Sequence, residues 1–303
     1  MIEAAKKYRR IVQCGTQNRS GPYGFSAREY IQSGKLGKVV HVKSYCMLPG
    51  GGGWRAQPDS PAPKGLDWDR WLGPAPAVPY NQGRHRGWYS WWDYSGGMAL
   101  AGDASHVLDL ARMALGDPGH PQAVYCAGGN NAYASRCEVP EIQVITYDYG
   151  DFTMTCESSN FGNYLKKSHG GVRYGNKFPD WRQNSTRIEI YGTKRMMYLG
   201  RHGGGWQVLA GNGKVVDFEY GHFPDKYHQK NFIESIRTRK QPNGNIEQGH
   251  LSACLVHLGN AAYRVGNKQL FLDAAREKFI NNEQANCLLK PEYRKHYRIP
   301  EQV

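Results

Sequence analysis

The stretch EIQVITYDYGDFTMTCESSNF, Glu141–Phe161, decides how the chain is read. Apolar and β-branched residues alternate with polar ones on both sides of Gly150-Asp151. Alternation of period two turns one side of a strand to a core, and a Gly-Asp pair between two such runs predicts a β-hairpin. A second turn of this kind, Asn212-Gly213, interrupts GWQVLAGNGKVVDFEYG (205–221). QAVYCAGG (122–129) and TRIEIYGTKRMMYLG (186–200) read as further strands. Strands joined by tight turns pair antiparallel, so this region predicts an antiparallel sheet.

The pattern upstream is different. MIEAAKKYRRIVQCGT reads as the end of a helix entering a strand, RIVQCGT (10–16). GPYGFSAREYIQSGKLG (21–37) reads as a helix stopped by Gly34 and Gly37, and KVVHVKSYCML (38–48) as a strand. Helix alternating with strand is the signature of parallel α/β structure, as if the chain began inside such a unit. The fold class expected is therefore α/β followed by α+β. KYHQKNFIESIRTRK (226–240) and IEQGHLSACLVHLGNAAYRVG (246–266) add two helices; His250 and His257 share one face of the second, where buried, hydrogen-bonded histidines are the default.

Between the two halves, GDASHVLDLARMALG (102–116) predicts a helix from the spacing of Val107, Leu110, Ala111, Ala114 and Leu115. Gly116 supplies the C-cap. Asp103 and His106 then fall in the first turn, with Asp103 as N-cap and His106 its neighbour. The stretch from Pro49 to Gly97 is rich in Gly and Pro yet holds six of the eight tryptophans, Trp54, Trp68, Trp71, Trp88, Trp91 and Trp92. Such a loop wraps the body or lines a cleft. Its aromatic faces suit sugar rings as well as they suit plain packing.

Composition narrows the class. At 303 residues, 40% hydrophobic and 21% charged, the chain is an ordinary globular protein. No apolar run approaches the roughly 20 residues that cross a bilayer. No export signal is visible, so as written the chain reads as cytoplasmic, with a leader on a longer N-terminus left open. Lys and Arg exceed Asp and Glu by 39 to 26, a formal +13. These charges are scattered (KKYRR, RHR, RTRK, YRKHYR), as on a solvated surface that attracts anionic ligands; no zinc-finger or RNA-binding signature points to nucleic acid. Seven cysteines without a C-x-x-C predict core residues and no disulfide framework. No Cys and His cluster along the sequence, so no metal site is expected.

In their order and spacing, VQCGTQNRS, GKLGKVVHVKSY, LDWDRWLGPAP, WWDYSGGMALAGDASHVLDLARMALG, IEIYGTKRMMYL, NFIESIRTRKQPN, IEQGHLSACLVHLGNAAYRVG and QANCLLKPEYRKHYRIP resemble the Gfo/Idh/MocA family of sugar oxidoreductases, in its bacterial sugar-associated branch. The likeness spans essentially the whole chain. It implies that residues 1–36 are the C-terminal remnant of a Rossmann domain. Residues 37–303 would be a substrate and oligomerisation domain with an open, mainly antiparallel sheet and helices on one face. The activity implied is NAD(P)-dependent hydride transfer on a sugar or sugar derivative. An NAD-dependent glycosidase of the same fold and a non-catalytic sugar-binding remnant are the alternatives. Homo-oligomers through the sheet face are implied as well.

Residue by residue, the resemblance makes His106 the acid/base group and Asp103 its weaker partner. It sets Gln17, Arg19 and Trp71 near NAD or NADP, and His85, Trp91, Asp93 and Tyr94 around the sugar. An imidazole near neutrality suits removal of a hydroxyl proton as hydride departs. Two departures matter. Family members open with a Gly-rich dinucleotide fingerprint and a later Glu-Lys-Pro segment; this sequence has neither, and the triplets Gly51–Gly53 and Gly203–Gly205 do not qualify. Tight NAD binding by this chain alone is therefore not expected. In many relatives an Asp stands four residues before the His, where this chain has Gly102 and places Asp103 one later.

Overall fold

The computed structural model describes residues 1–49, 57–94, 96–133, 137–266 and 268–298; Trp54 and Gly51–Gly53 lie outside them. Ten strands form one sheet: β1 Val39–Met47, β2 Ala123–Gly129, β3 Ile142–Asp148, β4 Thr153–Ser159, β5 Arg187–Gly192, β6 Met196–Gly200, β7 Trp206–Leu209, β8 Val215–Glu219, β9 Leu270–Asp273 and β10 Lys278–Phe279. Their order is β10-β9-β2-β3-β4-β1-β5-β6-β7-β8. β1 runs parallel to β4, and the other pairs are antiparallel. Both expected hairpins form. Gly150 takes φ +80 between β3 and β4, and Gly213 takes φ +78 between β7 and β8.

The helices are α1 Ile2–Lys7, α2 Pro22–Gln32, α3 Trp68–Leu72, α4 Gln82–Arg86, α5 Ser105–Ala114, α6 Gly170–Arg173, α7 Asp225–Thr238, α8 Ile246–Val265 and α9 Glu283–Cys287. α5 and α8 lie on one face of the sheet, as the sequence implied. Alternation decides which residues meet them: Val42, Ile145, Met154, Ile188, Ile190, Met197 and Val208 are fully buried with Val107, Leu110 and Ala111 of α5 and Leu255 of α8. On the opposite face Tyr125, Val144 and Phe271 are exposed.

Two expectations change. The segment RIVQCGT is not a strand; it makes one bridge, Gln13 to Asn245, and the Cys14 amide donates to Gly244 O at 2.7 Å. A strand needs a backbone partner along its length, and among the described residues this segment has only that one bridge. Residues 1–36 thus form helices and an extended link instead of a parallel layer, and β1 joins the large sheet. Tyr23, Ala27, Tyr30 and Leu36 share the core of the rest of the chain.

The second change concerns the start of the central helix. A π-helical turn, Met98–Ala104, runs directly into α5, so Asp103 is inside a continuous helix and caps nothing. Gly97 opens this helix at φ +96, where a Cβ would stand 2.7 Å from Val139 Cγ1. The C-terminal expectation holds. Gly116 has φ +90, its amide donates to Met113 O and the Asp117 amide to Arg112 O, the paired bonds of a Schellman motif.

α5 is anchored by charge at its core. Arg19, in a 3-10 turn Gln17–Ser20, is 3% exposed; its Nε donates to Asp109 Oδ1 at 2.7 Å and its Nη1 to Asp117 Oδ1 at 2.8 Å. Ser252 Oγ of α8 donates to the same Asp109 oxygen at 2.6 Å and accepts from Arg112 Nη1 at 2.8 Å. Burial pushes the Asp109 carboxyl up, while Arg19 and Ser252 pull it back. Removing Asp109 leaves the buried Arg19 guanidinium with Asp117 as its one remaining carboxylate. Asp109→Ala should therefore cost about 3–5 kcal/mol in urea unfolding, and Arg19→Met with Asp109→Leu should recover most of it. A loss near zero for the single variant would show that Arg19 finds other solvation.

Candidate functional site

The π turn widens the helix just where Asp103 and His106 leave it, and such bulges recur at functional sites. From the far side, the connection between β6 and β7 brings Arg201 and His202, and the loop after β4 brings Lys167. Lys167 Nζ pairs with Asp103 Oδ2. Arg201 Nη2 and His202 Nε2 each stand 3.9 Å from Asp103 Oδ1, beyond a direct hydrogen bond. His202 Nδ1 meets Thr186 Oγ1 at 2.8 Å. His202 also lies against the Phe223 ring, at 5.6 Å between centroids. One carboxylate thus faces two cations and two imidazoles.

The electrostatics favour neutral imidazoles. Burial, reinforced by Arg201, lowers the His106 pKa to about 4; burial with Arg201, Arg173 and Lys167 lowers His202 to about 2. His106 Nδ1 is buried without a hydrogen-bond partner, and so are Arg201 Nε and Nη1. Arg201 is 4% exposed, and its guanidinium lies 5.2 Å from the Phe223 ring. Buried donors without acceptors are costly. A bound group that accepted their hydrogen bonds would relieve that cost. Lys167, more than a third exposed, leads from the cluster to solvent.

The expected Asp103–His106 pair takes a different form. Asp103 bonds Lys167 and acts on His106 only through its charge, so it does not fix the imidazole's tautomer. Arg19 is committed to Asp109 and Asp117, which leaves its expected place beside a nicotinamide without support. Gln17 is part-buried in the same 3-10 turn, with Oε1 unpartnered.

Trp71, His85, Trp91, Asp93 and Tyr94 do come together, but with one another. Trp71 stacks on Trp68 at 4.6 Å and takes His85 and Tyr94 at 5.2 and 5.3 Å. Arg84 lies 4.1 Å over Trp91 and donates to Asp93 Oδ2 at 2.6 Å. This is an aromatic cluster in the Trp-rich loop whose Tyr94 hydroxyl is buried without a partner. Sequence reasoning missed Lys167, Arg201 and His202. Nothing marks them locally; they reach Asp103 only through the fold, from 64 to 99 residues further along the chain.

Two sets of residues bear on cofactors and metals. Among the described residues no strand, glycine turn and helix form a pyrophosphate cradle: the Gly15 region makes no strand, and α2 opens on Pro22, which has no N–H. The described residues at this turn do not fit the pyrophosphate of a dinucleotide. The expectation of no metal-type cluster, drawn from sequence spacing, needs correction. Folding gathers His120, His250, Cys254 and Glu277 within 4.8 Å of one another. His250 is half-buried and bonded to Glu277, while His257 is exposed, so the buried pair expected on α8 does not occur. A cleft of about 690 Å³ between α1, residues 9–12 and the start of α8 contains none of the candidate residues. No described helix is long and apolar enough to cross a membrane.

No curated protein sequence matches the chain. Solved structures do. The WlbA dehydrogenase from Bordetella pertussis, in complex with NADH and UDP-GlcNAcA, is 16% identical, with TM-score 0.55 over 90% of this chain and 66% of its own. Aldose-aldose oxidoreductase from Caulobacter crescentus, complexed with glycerol, is 18% identical, with TM-score 0.57 over 89% and 67%. Levoglucosan dehydrogenase, complexed with NADH and levoglucosan, is 15% identical, with TM-score 0.54 over 92% and 68%. The chain spans about two thirds of the length of each, and identities this low speak for the fold alone. Residues 49–183 and 200–299 match the family described as "Oxidoreductase family, C-terminal alpha/beta domain". This chain belongs to the Gfo/Idh/MocA oxidoreductase family, whose C-terminal domain it carries.

Proposed function

We propose that the chain supplies the substrate-binding, proton-transferring half of an NAD(P)-linked oxidoreductase acting on a sugar derivative that carries an anionic group. The observation behind this reading is the buried cluster at the π turn, where His106 Nδ1 and two Arg201 nitrogens lack partners. A neutral imidazole takes the proton of a sugar hydroxyl. The unpartnered Nε and Nη1 of Arg201 can each donate a charge-assisted hydrogen bond to a carboxylate or phosphate oxygen, a stronger partner than a neutral sugar hydroxyl. Lys167 neutralises Asp103 and keeps that carboxylate from repelling the ligand. A nicotinamide would supply hydride acceptance in such a reaction. Family membership supports the oxidoreductase class; a sugar-binding subunit without its own cofactor is the alternative, favoured by the lack of a pyrophosphate cradle among the described residues.

Titration calorimetry separates these. NADH should bind this chain weakly or not at all, and a uronate or sugar phosphate should bind better than its neutral parent. Arg201→Met should remove that preference. In a version joined to a Rossmann half, His106→Ala should lower kcat by about 10²–10⁴-fold with a smaller change in KM. Full turnover by His106→Ala would return that histidine to a structural role.

pH gives an independent check. His106 is held at about 4, below its ordinary 6.5, so between those values the unfolded chain binds more protons than the folded one. Its contribution to stability is complete above pH 6.5 and is lost as pH falls toward 4. Thermal unfolding across this range should show the decline, and His106→Gln should lessen it, the remainder coming from His202, which is lowered in the same direction.

The same reading includes self-association through the sheet face that bears Tyr125, Val144 and Phe271, since open apolar sheet surface favours a cover. Light scattering at micromolar concentration should give a dimer or larger, and Tyr125→Lys with Phe271→Glu should give monomer.

A further inference from the structure

We propose that His120, His250, Cys254 and Glu277 form a tetrahedral site for a zinc ion that fastens the sheet edge to α8. Three separate parts of the chain supply the donors. His250 and Cys254 are one turn apart on α8 and project from the same face. Their Nε2 and Sγ atoms stand 3.6 Å apart. His120 sits in the connection between α5 and β2, with Pro118 and Pro121 on either side restricting its backbone. Its side chain is only 8% exposed. Glu277 lies in the turn from β9 to β10, held at φ +52, a left-handed conformation uncommon for a residue other than glycine.

The donor distances suit a metal. Glu277 Oε1 accepts from His120 Nε2 at 2.8 Å and from His250 Nε2 at 2.7 Å, so both imidazoles aim the same type of nitrogen at one point. The two rings are perpendicular, as two ligands of a tetrahedron can be without clashing. Zinc bonds of about 2.0–2.1 Å to N and O and about 2.3 Å to S give tetrahedral edges of about 3.3 and 3.6 Å. The observed N–S separation already matches. The two N–O distances need to open by about 0.5 Å as the bridging protons give way to the ion.

The donor chemistry narrows the ion further. Two imidazoles, a thiolate and a carboxylate suit zinc better than magnesium or calcium, which prefer oxygen. Zinc binding displaces the Cys254 thiol proton, so affinity rises with pH. All four positions are filled by protein, the mark of a structural site rather than a catalytic one. Its effect is mechanical. β9 and β10 form the outer edge of the sheet, and a metal there would pin their turn to α8 and to the α5–β2 connection. His106 is near the other end of α5, whose ten residues span about 15 Å, so the site is independent of the sugar reading.

The test uses the whole chain, stripped with chelator and then titrated with Zn²⁺ against a chromophoric competitor, with Co²⁺ as spectroscopic probe. One equivalent of zinc should bind and raise the unfolding temperature. Co²⁺ should give the intense visible bands of tetrahedral coordination together with a near-ultraviolet thiolate charge-transfer band. Cys254→Ser should abolish that band, and Cys254→Ser with His120→Gln should weaken zinc by more than about 100-fold, beyond the cost of losing an outer hydrogen bond. Circular dichroism of the metal-free variants separates lost ligation from lost folding. A weak octahedral Co²⁺ spectrum, or zinc affinity unchanged in the folded double variant, would overturn the proposal. Should the double variant fail to fold, the Co²⁺ bands of the unmodified chain decide alone.

Discussion

The buried ion pair between Arg19 and Asp109 is the constraint on which the arrangement depends. Two charges taken from water repay their desolvation only when every remaining polar atom is nearly satisfied. Asp109 Oδ1 recruits Ser252 from α8 and Ser252 in turn receives Arg112, while Asp109 Oδ2 and Arg19 Nη2 stay buried without a partner, so the pair is held by part of its possible bonds. Asp117 holds Arg19 a second time and also takes Arg28 from α2 at 3.0 Å. One network therefore ties the first helices, α5 and α8 at a common depth. Sliding α5 by a single residue would break several charge-assisted bonds at once. The π turn and its side chains inherit this fixed position.

That rigidity matters because the candidate site is assembled from distant pieces. Asp103 and His106 come from the π turn and α5, Lys167 from the loop after β4, and Arg201 and His202 from the end of β6. The site is cationic in balance and largely closed to water, and for that reason it holds its histidines neutral. A neutral imidazole beside an under-partnered guanidinium is suited to a ligand that brings both a hydroxyl and a negative charge. The Trp-rich loop contrasts with it. Arg84 and Asp93 neutralise each other there, and the rings fill one another's faces, so that cluster reads as packing that supports the loop.

Local signals in the sequence were enough for the elements with strong periodicity. The hairpins at Gly150-Asp151 and Asn212-Gly213, the Gly116 C-cap and the antiparallel sheet follow from side-chain period and from glycine's freedom at positive φ. The RIVQCGT segment misled for the opposite reason. Its pattern is that of a buried strand, but a strand exists only with neighbours to bond, and pattern alone does not say who they are. The N-terminal end of the central helix misled because a π turn has the composition of an ordinary helix.

By itself, then, the sequence determined the two hairpins and where the central helix stops, while His106 was singled out only by the family resemblance. The hairpins and the helix end depend on residues a few positions apart. Only the tertiary structure decided that Arg19 is an anchor, that Lys167, Arg201 and His202 surround Asp103, and that His120, His250, Cys254 and Glu277 converge. Each of those facts joins side chains tens to more than a hundred residues apart. Such contacts are set by how α5 and α8 pack on the sheet, and a one-dimensional pattern carries no record of that packing.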